Sequence, residues 1–175
     1  MSRLVSCDAT IREYSLIDVA DANTPIQLDA VRELMRSFIG WHRERHVQDL
    51  QLIDEYFDAR AFDEELRTLP GEYSPPRGSL LLATVRQQPA GCVALRSIDD
   101  EYCEMKRMYV YPRFRGQGAG LALATRLIDT ARAAGYRAMR LDTSIGRPRQ
   151  RSCILAWVFA PSMRTTSCPR KCATG

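Results

Sequence analysis

A chain of 175 residues suffices for one domain with a real core, and 45% apolar with 26% charged residues is the balance of a globular protein, not a disordered one. No apolar run is long enough to span a bilayer, and residues 1–10 carry no secretory pattern, so a cytoplasmic protein without membrane partners is expected. The formal charge of +4 does not point to nucleic acid: without Arg147, Arg149, Arg151, Arg164, Arg170 and Lys171, all beyond the last acidic residue Asp142, 19 basic residues face 21 acidic ones, a net of −2.

Residues 1–12 read as a loose leader. Tyr14 to Val19 alternates like an edge strand. Thr24-Pro25 is a helix start, and Leu28, Val31, Leu34, Met35, Phe38 and Ile39 form one apolar stripe that ends at Trp41 and His42. His42 and His46 are candidate base or acceptor contacts, set against the plainer reading of a surface helix end. A second helical region runs from Leu50 to Leu69, with Ile53, Phe57, Phe62 and Leu66 as core contacts. Pro70-Gly71 stops it, and residues 75–78 form a loop.

Leu80 to Arg86, Ala90 to Ile98 and Glu101 to Tyr111 read as three strands of an antiparallel meander, turned at residues 87–89 and at Asp99-Asp100. A helix then runs from Gly120 to Ala134 and ends at Gly135, a residue suited to a C-cap. Arg137 to Thr143 is a fifth strand, parallel to the fourth by the strand-helix-strand rule. No Cys-x-x-Cys pair occurs and neither histidine lies near a cysteine, so no metal is expected and the thiols are read as reduced.

Between the fourth strand and the last helix, Tyr109 to Leu121 holds Pro112, Arg113, Arg115 and three glycines at alternate positions, Gly116, Gly118 and Gly120. Glycines opening a helix let N–H groups approach a phosphate, and the helix dipole adds positive charge there. The spacing is neither Gly-x-Gly-x-x-Gly nor a Walker loop. It is Arg113-Phe-Arg-Gly116-Gln-Gly118, flanked by Glu104-Met-Lys-Arg-Met-Tyr-Val-Tyr-Pro and by Ala133 to Thr143. Over Ser79 to Thr143 the chain resembles the GNAT superfamily of acetyl-CoA-dependent N-acetyltransferases.

The resemblance implies an α+β fold: a mixed, mostly antiparallel sheet flanked by helices, with residues 13–143 as the core. It implies acetyl-CoA as acyl donor. Arg113, Arg115, Gly116, Gln117, Gly118, Ala119 and Gly120 would hold the pyrophosphate, and Met108, Tyr109 and Val110 the pantetheine arm. An amide near Val110 would polarise the thioester carbonyl, and the first two helices would cover the acceptor. That acceptor would be an amine of a small molecule or peptide, and a homodimer stays open as an option. Glu104 is the candidate general base. By period two it shares a face with Met108 and Val110, and histone-type members carry their base at the corresponding position. The competing reading is a half-exposed carboxylate paired with Lys106 or Arg107.

Residues 144–175 depart from the family. A helix with a Leu-Tyr-x-x-Leu-Gly-Phe motif and a final hairpin are expected, yet the chain is rich in Arg, Cys and Pro. Trp157-Val158 forces a glycine in a shifted frame, and neighbouring codons permit the missing motif at the expected distance. A frameshift between Ser144 and Pro148 would explain the tail, and the missing helix and hairpin would leave the core exposed. The alternatives to an active N-acetyltransferase are a non-catalytic or defective CoA-binding protein and, more remotely, a nucleic-acid binder acting through the tail.

Overall fold

Thr24 and Gln27 bracket the first helix in a reciprocal cap. The Thr24 N–H donates to Gln27 Oε1 at 3.1 Å, and Gln27 N–H donates to Thr24 Oγ1 at 3.4 Å, with Pro25 at the first helical position. Helix α1, Pro25–Arg45, runs past the expected stop at Trp41 and His42 because Arg43, Glu44 and Arg45 are good helix formers with no breaker among them. The computed structural model describes residues 17–45, 47–50, 58–141 and 153–155.

Helix α2, Ala59–Thr68, starts on the Asp58 carboxylate, which accepts from Ala61 N–H at 2.8 Å. Phe62 and Leu66 are buried as expected; Ile53 and Phe57 lie outside the described residues. Among the described residues, six strands follow one another in a single sheet: β1 Ile17–Asp21, β2 Ser79–Val85, β3 Gln88–Ser97, β4 Tyr102–Val110, β5 Ala138–Leu141 and β6 Cys153–Leu155. The pairs β1 to β4 are antiparallel, so the expected meander holds and gains β1. The β2–β3 turn falls one residue earlier than expected. Arg86 and Gln87 both take positive φ, 49° and 65°, the backbone of a tight two-residue hairpin turn.

Helix α3, Ala119–Ala133, crosses back so that β5 lies parallel to β4. Its end is a Schellman cap. Gly135 (φ 85°) donates to Arg132 O at 2.9 Å, and Tyr136 donates to Ala131 O at 3.1 Å. Of the tail, Cys153–Leu155 adds a sixth strand antiparallel to β5, an element the tail was not expected to supply. Residues 142–152 and 156–175, which include the proposed frame change, lie outside the described residues, as do residues 1–16.

The sheet separates two cores. On one face Val31, Leu34 and Met35 of α1 and Phe62 and Leu66 of α2 cover Leu80, Leu82, Cys92, Ala94 and Tyr109. On the other, Leu123, Leu127 and Ala131 of α3 cover Leu81, Ala83, Val93, Leu95, Cys103 and Met139. Each buried Leu contributes about 1.5–3 kcal/mol. No helix among the described residues is long and apolar enough to cross a membrane.

Candidate active site

The decisive local event is an extra residue in β4. Arg96 pairs with Glu104 and Ala94 with Lys106, yet Cys92 pairs with Tyr109 and Gly91 with Val110. Arg107 and Met108 therefore stand opposite Val93 alone, a β-bulge in which Arg107 takes φ 56°. The insertion reverses the parity of everything after it. Glu104, Lys106 and Tyr109 face α1 and α2, whereas Met108 and Val110 turn toward α3, 3.8 Å from where a Cβ on Gly120 would sit. The shared face expected for Glu104, Met108 and Val110 does not exist.

Two residues past the bulge, β3 presents Gly91 to Val110. A Cβ at that position would lie 2.6 Å from Tyr109 O and 2.9 Å from Val110 Cγ2. The positive φ of Arg107 is held from outside the strand. Its guanidinium donates to both carboxylate oxygens of Glu65 on α2, at 2.8 and 2.5 Å. Tyr73 Oη donates to the same carboxylate at 2.6 Å. Burial alone would raise the Glu65 carboxyl, but the bonds from Arg107 and Tyr73 carry it below its ordinary value. The Tyr73 phenol is pushed up by burial and by Glu65.

Among the described residues, the β4–β5 ladder covers Tyr102–Met105 against Ala138–Leu141, while β4 continues past it to Val110. The strand then runs straight into the glycine turn. A 3₁₀ turn at Pro112–Phe114 ends the strand, Gly116 and Gly118 take φ 76° and 94°, and α3 begins at Ala119. The first bond closed there is Ala122 N–H to Gly118 O at 3.0 Å, so the N–H groups of the preceding helical residues have no intrahelical partner. A Cβ on Gly116 would meet nothing within 4 Å. Arg113 and Arg115 do not simply hang over this turn. Arg113 lies on the rings of Tyr111 and Phe114 at 4.9 and 4.8 Å. Arg115 Nε donates to Val110 O at 3.0 Å, and its guanidinium rests 4.7 Å from the Trp41 ring and 5.7 Å from that of Tyr109. Gln117 Nε2 donates to Arg113 O at 2.9 Å.

Glu104 is 8% exposed and is clamped by Arg96, whose Nη2 donates to Oε2 at 2.5 Å. The partner is thus the cross-strand Arg96, not Lys106 or Arg107. Arg96 also reaches Glu72 at 3.4 Å. Beside this pair a cleft of about 360 Å³ opens between α2, residues 69–73 and strands β3 and β4. Lys106 lines it, half-buried. Burial, and then the Arg96 guanidinium, push its pKa down. His42 packs its ring edge-on against Phe38 (4.5 Å) and Trp41 (5.0 Å) within an aromatic group that extends to Tyr109, so it is no plain surface helix end. His46 lies outside the described residues.

The profile of the acetyltransferase (GNAT) family matches residues 43–154. The chain belongs to that family. It is an N-acetyltransferase, 40% identical over 131 residues to an uncharacterized N-acetyltransferase of Schizosaccharomyces pombe, with 74% of each chain covered. Its fold is that of an acetyltransferase from Streptococcus agalactiae (TM-score 0.56, 21% identity, 78% of each chain covered). It is likewise that of the PaiA N-acetyltransferase of Thermoplasma acidophilum, solved with coenzyme A (TM-score 0.55, 18% identity, 71% of this chain and 77% of that one).

For this acetyltransferase the arrangement brings together most of what the sequence singled out. Met108, Tyr109 and Val110 lie on the last stretch of β4, and Arg113 to Gly120 form the turn that follows it. Glu104 lies on the same strand but four residues before Met108, on the opposite face, under α2. Sequence reasoning missed Glu65, Tyr73 and Arg96. The available signal for Arg96 was the Asp99-Asp100 hairpin, which sets it opposite Glu104.

Proposed function

We propose that acetyl-CoA is the acyl donor, with its pyrophosphate over residues 115–120 and its pantetheine along residues 108–110 of β4. An acceptor amine would enter from the face covered by α1 and α2. The observation that carries this reading is the end of β4, past its described pairing with β5, leading into a turn whose two left-handed glycines and helix start aim N–H groups outward. The amine nitrogen attacks the thioester carbonyl, the C–S bond breaks, and the second nitrogen proton passes to the departing CoA thiolate.

An amine with a pKa near 10.4 is neutral in only about one molecule in 2,500 at pH 7, so the ammonium proton must first be removed. Glu104 is the proposed base. Its Oε2 is engaged by Arg96, which leaves Oε1 to take the proton, directly or through a water. A cytoplasmic location belongs to the same reading, and the free buried thiols of Cys92 and Cys103, pushed up by burial to about 12 and about 11, fit it.

Calorimetric titration of the full chain with acetyl-CoA tests the donor site. Micromolar binding that weakens in Gly116→Val is expected. A folded chain that binds no acetyl-CoA would overturn the reading.

A further inference from the structure

Six charged side chains line the cleft beside Glu104: Glu64, Glu65, Glu72, Arg96, Lys106 and Arg107. Glu64 pairs with Arg67 at 2.6 Å, Glu65 with Arg107 at 2.5 Å, and Glu72 with Arg96 at 3.4 Å. Among the described residues, Lys106 alone of the six has no ion pair within 4 Å and no hydrogen bond. It is half-buried in a concave site beside Arg96 and Arg107, each already held by a carboxylate, while the Glu104 and Glu65 carboxylates attract it without touching it. An exposed lysine would be satisfied by bulk water. A cation withdrawn into a cleft with no contact partner instead favours an anion there.

The position matters as much as the charge. Lys106 sits on the Glu104 face of β4, two residues before Met108. Two strand residues span about 7 Å, a distance that an amino acid and a flexible lysine arm bridge together. We infer that the acceptor is an amine that also carries a carboxylate, and that Lys106 binds this carboxylate while the amine reaches the acyl group at the end of β4. The inference rests on the proposed entry of the acceptor from the α1–α2 face.

The test uses the full chain with acetyl-CoA and matched acceptors: free amino acids, including acidic ones, against their C-terminal amides and decarboxylated amines. The carboxylate-bearing member of each pair should have kcat/KM higher by about tenfold or more, the worth of one charge-assisted hydrogen bond. Lys106→Gln should abolish that preference and Lys106→Arg should keep it, with acetyl-CoA affinity unchanged in both. Equal use of both members by the unsubstituted chain overturns the inference and leaves the donor site intact. So does a preference that survives Lys106→Gln. If turnover is absent, titration of the CoA-loaded chain with N-acetylated amino acids against their amides reads the same contact. Binding of the acid form alone supports it; indifference or no binding overturns it. Loss of acetyl-CoA binding itself would mark failure of the donor-site reading.

Discussion

The guanidinium of Arg107 and the carboxylate of Glu65 meet through two nearly parallel hydrogen bonds and so tie helix α2 to the one residue that breaks the period of β4. Both side chains are largely out of water, 11% and 15% exposed. The pair therefore does two things at once. It anchors the cover of the cleft, and it holds a non-glycine residue at φ 56°, a backbone state that costs about 1 kcal/mol or more.

Removing one partner leaves the other buried and uncompensated. Glu65→Ala should lower stability by about 3 kcal/mol, read as a fall in the midpoint of urea unfolding. The pH dependence has a defined sign. The folded Glu65 carboxyl lies below its ordinary 4.5, so its contribution is complete above that value and is lost as pH falls through the lower folded value. The stability gap between the native chain and Glu65→Gln should accordingly narrow below pH 4.5. A constant gap would count against the pair.

Gly91 lets β3 close on the end of β4, opposite Val110. A methyl group there meets main chain, 2.6 Å from Tyr109 O, which cannot rotate away. Gly91→Ala should cost about 1–3 kcal/mol by overpacking and should also weaken acetyl-CoA binding, because the displaced segment is the proposed pantetheine edge. Thermal unfolding and a CoA titration of the same variant check both halves. A drop in Tm with unchanged affinity would separate Gly91 from the donor site.

Much of this arrangement could be read from residue spacing. The stripe from Leu28 to Ile39, the Thr24-Pro25 start, the Gly135 stop and the parallel fifth strand all follow from local rules that packing did not override. The face of Glu104 did not follow. Period two assumes an unbroken strand, and Arg107 carries no mark of a bulge, since a glycine at the inserted position is a usual signal and here Arg107 and Met108 stand opposite Val93 with no glycine among the three. The partner of Glu104 comes from β3, just across the hairpin, but that of Arg107 comes from α2, 42 residues away, where no spacing rule reaches. The turn at Gly116 and Gly118 was visible because positive φ leaves a glycine signature.

Arg115 rests on Trp41 while its Nε holds Val110 O, so it lies across the mouth of the proposed edge. A pyrophosphate on the turn offers it a stronger, doubly charged partner. Acetyl-CoA should therefore change Trp41 emission, measured in Trp157→Phe so that one tryptophan reports. Arg115→Gln should weaken CoA binding by about tenfold and abolish the change in emission. An emission unaffected by saturating acetyl-CoA would mean that Arg115 stays on the ring.

Glu104→Gln separates chemistry from architecture at the base. The amide keeps an oxygen to accept from Arg96, so the cross-strand contact and the fold should persist. Only the ability to take a proton is lost. The variant should bind acetyl-CoA normally yet show kcat lower by about 10² to 10⁴ at pH 7. Raising the pH toward the amine's own pKa should recover rate in the variant more steeply than in the native enzyme, because the acceptor then deprotonates without help. A kcat within twofold of the native value, with the same pH profile, would show that Glu104 serves only to hold Arg96, and the proton would have to leave through solvent.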